Sequence, residues 1–175
     1  TFAGGFEAGS TDPSRLVDQL LGQNTILELD GLDENAQQFL VSTLMTWLFH
    51  HRLQAPDREV IRLMIIVEEA HHFLYRQENR AKESAMNRLL RQCREVGIGV
   101  VVVDQHPHLI SSAALGNTYT SICLNLKEPT DVNRAASMML LREDQKRYLN
   151  RLPLGDGIVK LQGRWQKPFV VHFPK

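Results

Sequence analysis

Glu68 and Glu69 stand side by side directly after the apolar run Leu63-Met64-Ile65-Ile66-Val67. Two adjacent carboxylates of this kind suit magnesium-nucleotide chemistry: one orients the metal's water shell and the next polarises an attacking water. A second apolar run, Gly99 to Val103, ends in Asp104-Gln105, again polar groups after a hydrophobic stretch. Four histidines, His71, His72, His106 and His108, lie close to these acids in sequence. They invite a metal reading, but no cysteines sit at the tight spacing of a closed zinc set and no His-Glu-x-x-His helix motif is present. A metal hydrolase is therefore the weaker rival. Arg88, Arg91 and Arg94 fall three apart, and by themselves they read as a solvated helix face with support such as Arg91 to Glu95.

The plain alternative for the acid pair is a buried strand followed by the acidic start of a helix, where glutamate favours the dipole in any case. The elements around the pair weigh against it. Residues 60 to 67 read as a strand buried on both faces, since five successive apolar residues do not alternate. Residues 98 to 103 read as another. In an open parallel sheet, ligands bind at the C-terminal ends of the strands. Glu68, Glu69 and Gln105 are thereby expected to open onto one crevice.

The rest of the chain supplies the order of elements. Asp12-Pro13 caps a short helix through Leu16, Val17, Leu20 and Leu21, and residues 25 to 29 read as a strand. Asp33 caps a helix over residues 34 to 53, with an expected buried stripe of Ala36, Phe39, Leu40, Thr43, Leu44, Trp47 and Leu48. His50-His51-Arg52 closes it with cations. A helix over residues 80 to 96 is expected to bury Ala85, Leu89, Cys93 and Val96. Residues 107 to 115, 129 to 140 and 143 to 152 read as helical, and residues 119 to 126 as a strand. A terminal strand pair surrounds Gly163-Arg164, with antiparallel pairing open to it. Alternation of strands and helices predicts right-handed crossovers in an α/β, three-layer sandwich with a mainly parallel sheet.

The whole-chain quantities set few limits. The 175 residues carry 20 basic and 20 acidic side chains, so no global field draws the chain to nucleic acid. Cys93 and Cys123 lie in different elements among apolar neighbours, as expected of free thiols in a reduced, cytoplasmic protein. No run reaches transmembrane length. Gly4 to Thr11 has the outer spacing of a phosphate-binding loop, but Ser10 occupies the lysine position and no apolar strand precedes it. The stretch reads as a lead-in.

Taken together, Ile65 to Leu74 resembles the Walker B region of the HerA branch of HerA/FtsK ATPases. Leu90 to Val100 is similar to that family's arginine-bearing helix, and Val103-Asp104-Gln105-His106-Pro107 to its glutamine-ended strand. Asn117 to Leu126, the Asp131 region and Gly155 to Val159 follow in the family's order. The resemblance implies a partial RecA-like P-loop NTPase fold, with residues 1–24 as a lead-in and 25–175 as the C-terminal portion of the ATPase domain. It implies ATP and magnesium as cofactors. Glu69 would be the catalytic carboxylate, Glu68 the magnesium-associated acid where the family usually has aspartate, and Gln105 the γ-phosphate sensor. Arg91 or Arg94 would be an arginine finger reaching a neighbouring subunit. It further implies a hexameric ring, double-stranded DNA as the translocated partner, with Lys127, Arg134 and the His106–His108 loop as pore contacts, and a nuclease of the NurA type. The missing Walker A lysine departs from the family. A fragment of a longer motor, starting at Thr1 rather than Met, accounts for this better than a degenerate relative does. The other reading is a non-catalytic assembly or DNA-binding module.

Overall fold

The computed structural model describes residues 20–75 and 85–174. The Gly4 to Thr11 stretch, the Asp12-Pro13 cap with most of its short helix, and the start of the helix expected from residue 80 lie outside the described residues.

Helix α1 spans Glu34–Leu53, and Asp33 caps it by accepting the Ala36 N–H at 3.1 Å. Strand β1 (Leu63–Val67) pairs in parallel with β2 (Ile98–Val102), with Leu63 opposite Ile98 and Val67 opposite Val102. A short 3₁₀ turn (Ala70–His72) follows β1. Helix α2 (Ala85–Gln92) tightens into a 3₁₀ turn (Cys93–Val96) before β2. After β2 come α3 (Ser112–Gly116), β3 (Thr120–Cys123), α4 (Pro129–Met139), α5 (Glu143–Lys146), β4 (Asp156–Leu161) and β5 (Trp165–His172). Strands β3, β4 and β5 form an antiparallel sheet in that order. The architecture is α/β, with a parallel pair, an antiparallel three-stranded sheet, and the expected C-terminal hairpin.

Two apolar clusters hold these elements. In the first, Val41, Met45 and Leu48 of α1 meet Val67, Ala70, Leu74, Met86, Leu89, Ile110 and Ala114. In the second, Cys123, Val132, Ala135, Ala136, Met139, Leu149, Leu152 and Ile158 pack together. Cys93 and Cys123 are both free thiols, and burial pushes the Cys123 thiol up to about 11.

Several sequence expectations shift. The buried row of α1 is Val41, Met45, Leu48 and Arg52, while Phe39 is 73% exposed and Thr43 faces solvent. The helix is apolar around much of its circumference, so its composition did not specify a face. Residues 25 to 29 form no strand: the Leu29 carbonyl is taken by Leu32 N–H and by Gln37 Nε2 in a turn. β1 is buried on one face only. Leu63, Ile65 and Val67 turn toward the helices, while Met64 and Ile66 are exposed at 56% and 65%. Among the described residues the helices cover a single side of the parallel pair. The helical segments near 107 and 143 are shorter than expected, because turns closed by His106, Tyr148 and Lys146 carbonyls interrupt them.

One buried cation fixes the approach to β1. Arg52 donates to the carbonyls of Val96, Asp57 and Val60, and pairs with the Asp57 carboxylate at 3.1 Å. Gly97 sits beside it at φ 67°, where an added Cβ would overlap the Val60 carbonyl. Gly97→Ala is therefore expected to destabilise the fold by about 3 kcal/mol, combining left-handed strain with a backbone clash. Equilibrium urea unfolding measures this, and an unchanged midpoint would contradict it.

Candidate functional site

The parallel pairing carries both polar ends to one edge. Val103 N–H donates to the Val67 carbonyl at 2.9 Å, and Ala70 N–H to the Val103 carbonyl. The pairing thus continues one step beyond each strand, and the chain then leaves the sheet at Glu68-Glu69 and at Asp104-Gln105. Gln105 Nε2 donates to Glu69 Oε1 at 3.0 Å. The acid and the amide, 36 residues apart in sequence, share the crevice at the C-terminal ends of β1 and β2.

Glu69 holds φ 45°, ψ 47°. A left-handed backbone at a non-glycine residue costs about 1–2 kcal/mol. Such strain persists only where the surroundings fix it, and it clusters at functional positions. Here it turns the chain abruptly from β1 into the 3₁₀ turn and sets the Glu69 carboxylate toward Gln105. No feature of the local sequence announces it.

Beneath this pair lies Asp104, whose side chain is only 3% exposed. Its Oδ2 accepts the His71 backbone N–H at 2.7 Å and lies 2.8 Å from His71 Nδ1, while its Oδ1 accepts the His106 N–H at 2.6 Å. This favours the Nδ1–H tautomer of His71. His71 Nδ1 also lies 3.6 Å from Glu69 Oε2. One carboxylate thus ties the turn after β1 to the loop after β2. Deeper in, Ser111 N–H donates to the Leu74 carbonyl, joining the same two segments again, and Ser111 Oγ donates to Asn87 Oδ1 on α2.

Glu68 is exposed, and among the described residues it makes no hydrogen bond or ion pair. Glu69, His71 and Asp104 offer ligand atoms within 4.8 Å of one another, so the group nearest to a common metal position includes Glu69 and omits Glu68. The two carboxylates are hard donors of the kind magnesium takes, whereas His71 Nδ1 is spent on Asp104. Arg91 and Arg94 are exposed, on α2 and the 3₁₀ turn after it.

Asp131, in the first turn of α4, is 2% exposed and lies against His106 and His108. Burial raises its carboxyl, but hydrogen bonds from the side chain and backbone N–H of His108, and from His106, outweigh that and hold it below the usual carboxylate range. Sequence reading assigned no role to the His71–Asp104 and His108–Asp131 pairs. Their partners are 33 and 23 residues apart, and only the shared sheet edge could have suggested that they meet.

The described fold is similar to part of the fold of two solved viral packaging NTPases. The genome packaging NTPase of Sulfolobus turreted icosahedral virus 2, in complex with ATP-gammaS, superposes at a TM-score of 0.62 with 13% identity, covering 85% of this chain and 65% of that one. The DNA-packaging ATPase from Sulfolobus turreted icosahedral virus gives 0.62 as well, covering 86% and 65%. In sequence the chain is similar to HerA helicases. It is 27% identical over 150 residues to the DNA double-strand break repair helicase HerA of Sulfurisphaera tokodaii, covering 82% of this chain and 30% of the relative. The protein of the same name from Saccharolobus solfataricus is 29% identical over 143 residues, covering 79% and 29%. The chain therefore spans about three tenths of the length of these curated relatives. No protein-family model matches it. Among the described residues no helix is long and apolar enough to cross a membrane.

Two stability predictions follow from this geometry. Glu69→Gly relieves the left-handed strain and loses one exposed hydrogen bond, so it is expected to raise stability by about 1 kcal/mol in urea unfolding. A loss of stability would contradict that account. For Asp131, whose folded carboxyl is held below its unfolded value, the contribution is present above the unfolded pKa and is lost as pH falls through the folded one. Asp131→Asn should flatten the acid limb of a thermal-melt profile below about pH 4. An acid limb as steep as that of the wild type would contradict this.

Proposed function

We propose that this chain is part of an ATP-dependent DNA motor of the HerA kind, with residues 25–175 forming the C-terminal portion of its ATPase domain. The observation that carries the reading is the Gln105–Glu69 hydrogen bond at the C-terminal edge of β1 and β2. In this reading Glu69 orients the attacking water against the γ-phosphate of ATP, and Gln105 senses that phosphate. Gln105 Nε2 donates to the Glu69 carboxylate in the structure. The γ-phosphate would compete for that N–H, so nucleotide binding would release the carboxylate for its water.

Magnesium fits the carboxylate-rich edge. Glu68 would meet it through water, its extra methylene relative to aspartate changing the reach by about an ångström. The exposed positions of Arg91 and Arg94 suit one of them as a finger delivered to a neighbouring subunit rather than to its own site. A homo-oligomeric ring, hexameric by likeness to HerA, would supply that neighbour. Double-stranded DNA would be the substrate moved, and a nuclease of the NurA type a working partner in break processing. The names of the curated relatives support the DNA-repair setting. The exposed apolar face of β1 and β2 supports a parallel pair that sits within a larger, three-layer sheet.

No Gly-Lys dipeptide occurs in the 175 residues, so in this reading a Walker A lysine would be supplied by another segment of a longer gene product. The isolated chain is therefore expected to hydrolyse ATP poorly or not at all. The same absence favours the second reading, a non-catalytic module that assembles or binds DNA without turnover. Expressing the complete gene product separates them: ATP hydrolysis stimulated by duplex DNA is expected, falling by about a hundredfold or more in Glu69→Gln. Unchanged hydrolysis in that variant would remove Glu69 from its role, and no hydrolysis in the wild type would favour the module.

A further inference from the structure

We propose that His106, His108 and Asp131 form a binding site for a divalent transition-metal ion of the zinc class. The site is independent of the nucleotide reading and uses none of the residues assigned to it. The three side chains offer one ligand atom each, all within 4.8 Å of one another. His106 Nδ1 lies 3.4 Å from Asp131 Oδ2 and His108 Nδ1 lies 2.7 Å from Asp131 Oδ1. In a tetrahedral zinc site, bonds of about 2.1 Å place neighbouring ligand atoms about 3.4 Å apart. The two imidazoles approach different oxygens of the one carboxylate, so a bound ion would draw them onto a common position by shifts on the order of 1 Å.

The donor set selects the ion. Two imidazoles with one carboxylate favour zinc, cobalt or nickel over magnesium, which prefers an all-oxygen shell. The carboxylate is buried, while the imidazoles are 49% and 37% exposed, so the outer side of the site is open to a water or another ligand. The backbone is organised for it. Pro107 stiffens the link between the two histidines. The His106 N–H is held by Asp104 and the His108 N–H by Asp131 Oδ1. An ion here would clamp the loop that carries Gln105 onto α4.

Titration of the chain with Zn²⁺ or Co²⁺ tests this. One equivalent is expected to bind, with a visible cobalt spectrum characteristic of a nitrogen–oxygen site and a rise in melting temperature on adding Zn²⁺. The double variant His106→Gln/His108→Gln is expected to lose affinity by about a hundredfold or more. Should that variant fail to fold, His106→Gln alone removes a half-exposed ligand held only at 3.4 Å and is expected to lose affinity as well. Equal zinc affinity in wild type and in the folded variant would overturn the proposal, as would the absence of saturable one-to-one binding by the wild type.

Discussion

The Asp104 carboxylate is the constraint on which the site depends. It is buried, and it takes the His71 N–H, the His71 ring nitrogen and the His106 N–H. A carboxylate withdrawn from water is costly unless its lone pairs are used, and here they are used by two different segments. One segment carries Glu69 and the other carries Gln105. Satisfying the charge therefore fixes the separation of the two side chains above it. The hydrogen bonds among Val67, Ala70 and Val103 carry the sheet's rigidity to the same point.

Strain and burial around this carboxylate are of one piece. Glu69 is held in a left-handed conformation because the chain must turn at once, from a strand paired through Val67 into a 3₁₀ turn anchored by His71. On the far side of the loop after β2, Asp131 receives His106 and His108 in the same manner, one buried acid holding two exposed imidazoles. The loop from Asp104 to His108 is thus gripped at both ends by buried carboxylates. Gln105 lies between them, exposed and positioned.

Much of this was legible in the residues. The Asp33 cap and the bounds of α1 follow from a capping residue and helical periodicity, both local properties. The parallel pairing of β1 and β2 follows from two apolar runs separated by a helix, and the meeting of Glu69 with Gln105 follows from that pairing. What was not legible is what depends on distant partners. The packed face of α1 is decided by the row that meets β1 and α2, since apolar residues surround the helix. Residues 25 to 29 have strand composition, yet the Leu29 carbonyl is taken up in a turn. The helical twist at Glu69 and the pairing of Asp104 with His71 have no sequence pattern at all. Each arises where two separate strand ends come together.

The central claim is that Glu69 and Gln105 act on one phosphate as a unit. A double-mutant cycle on ATP turnover by the complete gene product, using Glu69→Gln, Gln105→Ala and the pair, tests it most directly. Groups acting as a unit give strongly non-additive losses, so the double variant should be scarcely slower than Glu69→Gln alone. Losses that simply multiply would show that the two side chains act independently, and would contradict the shared site.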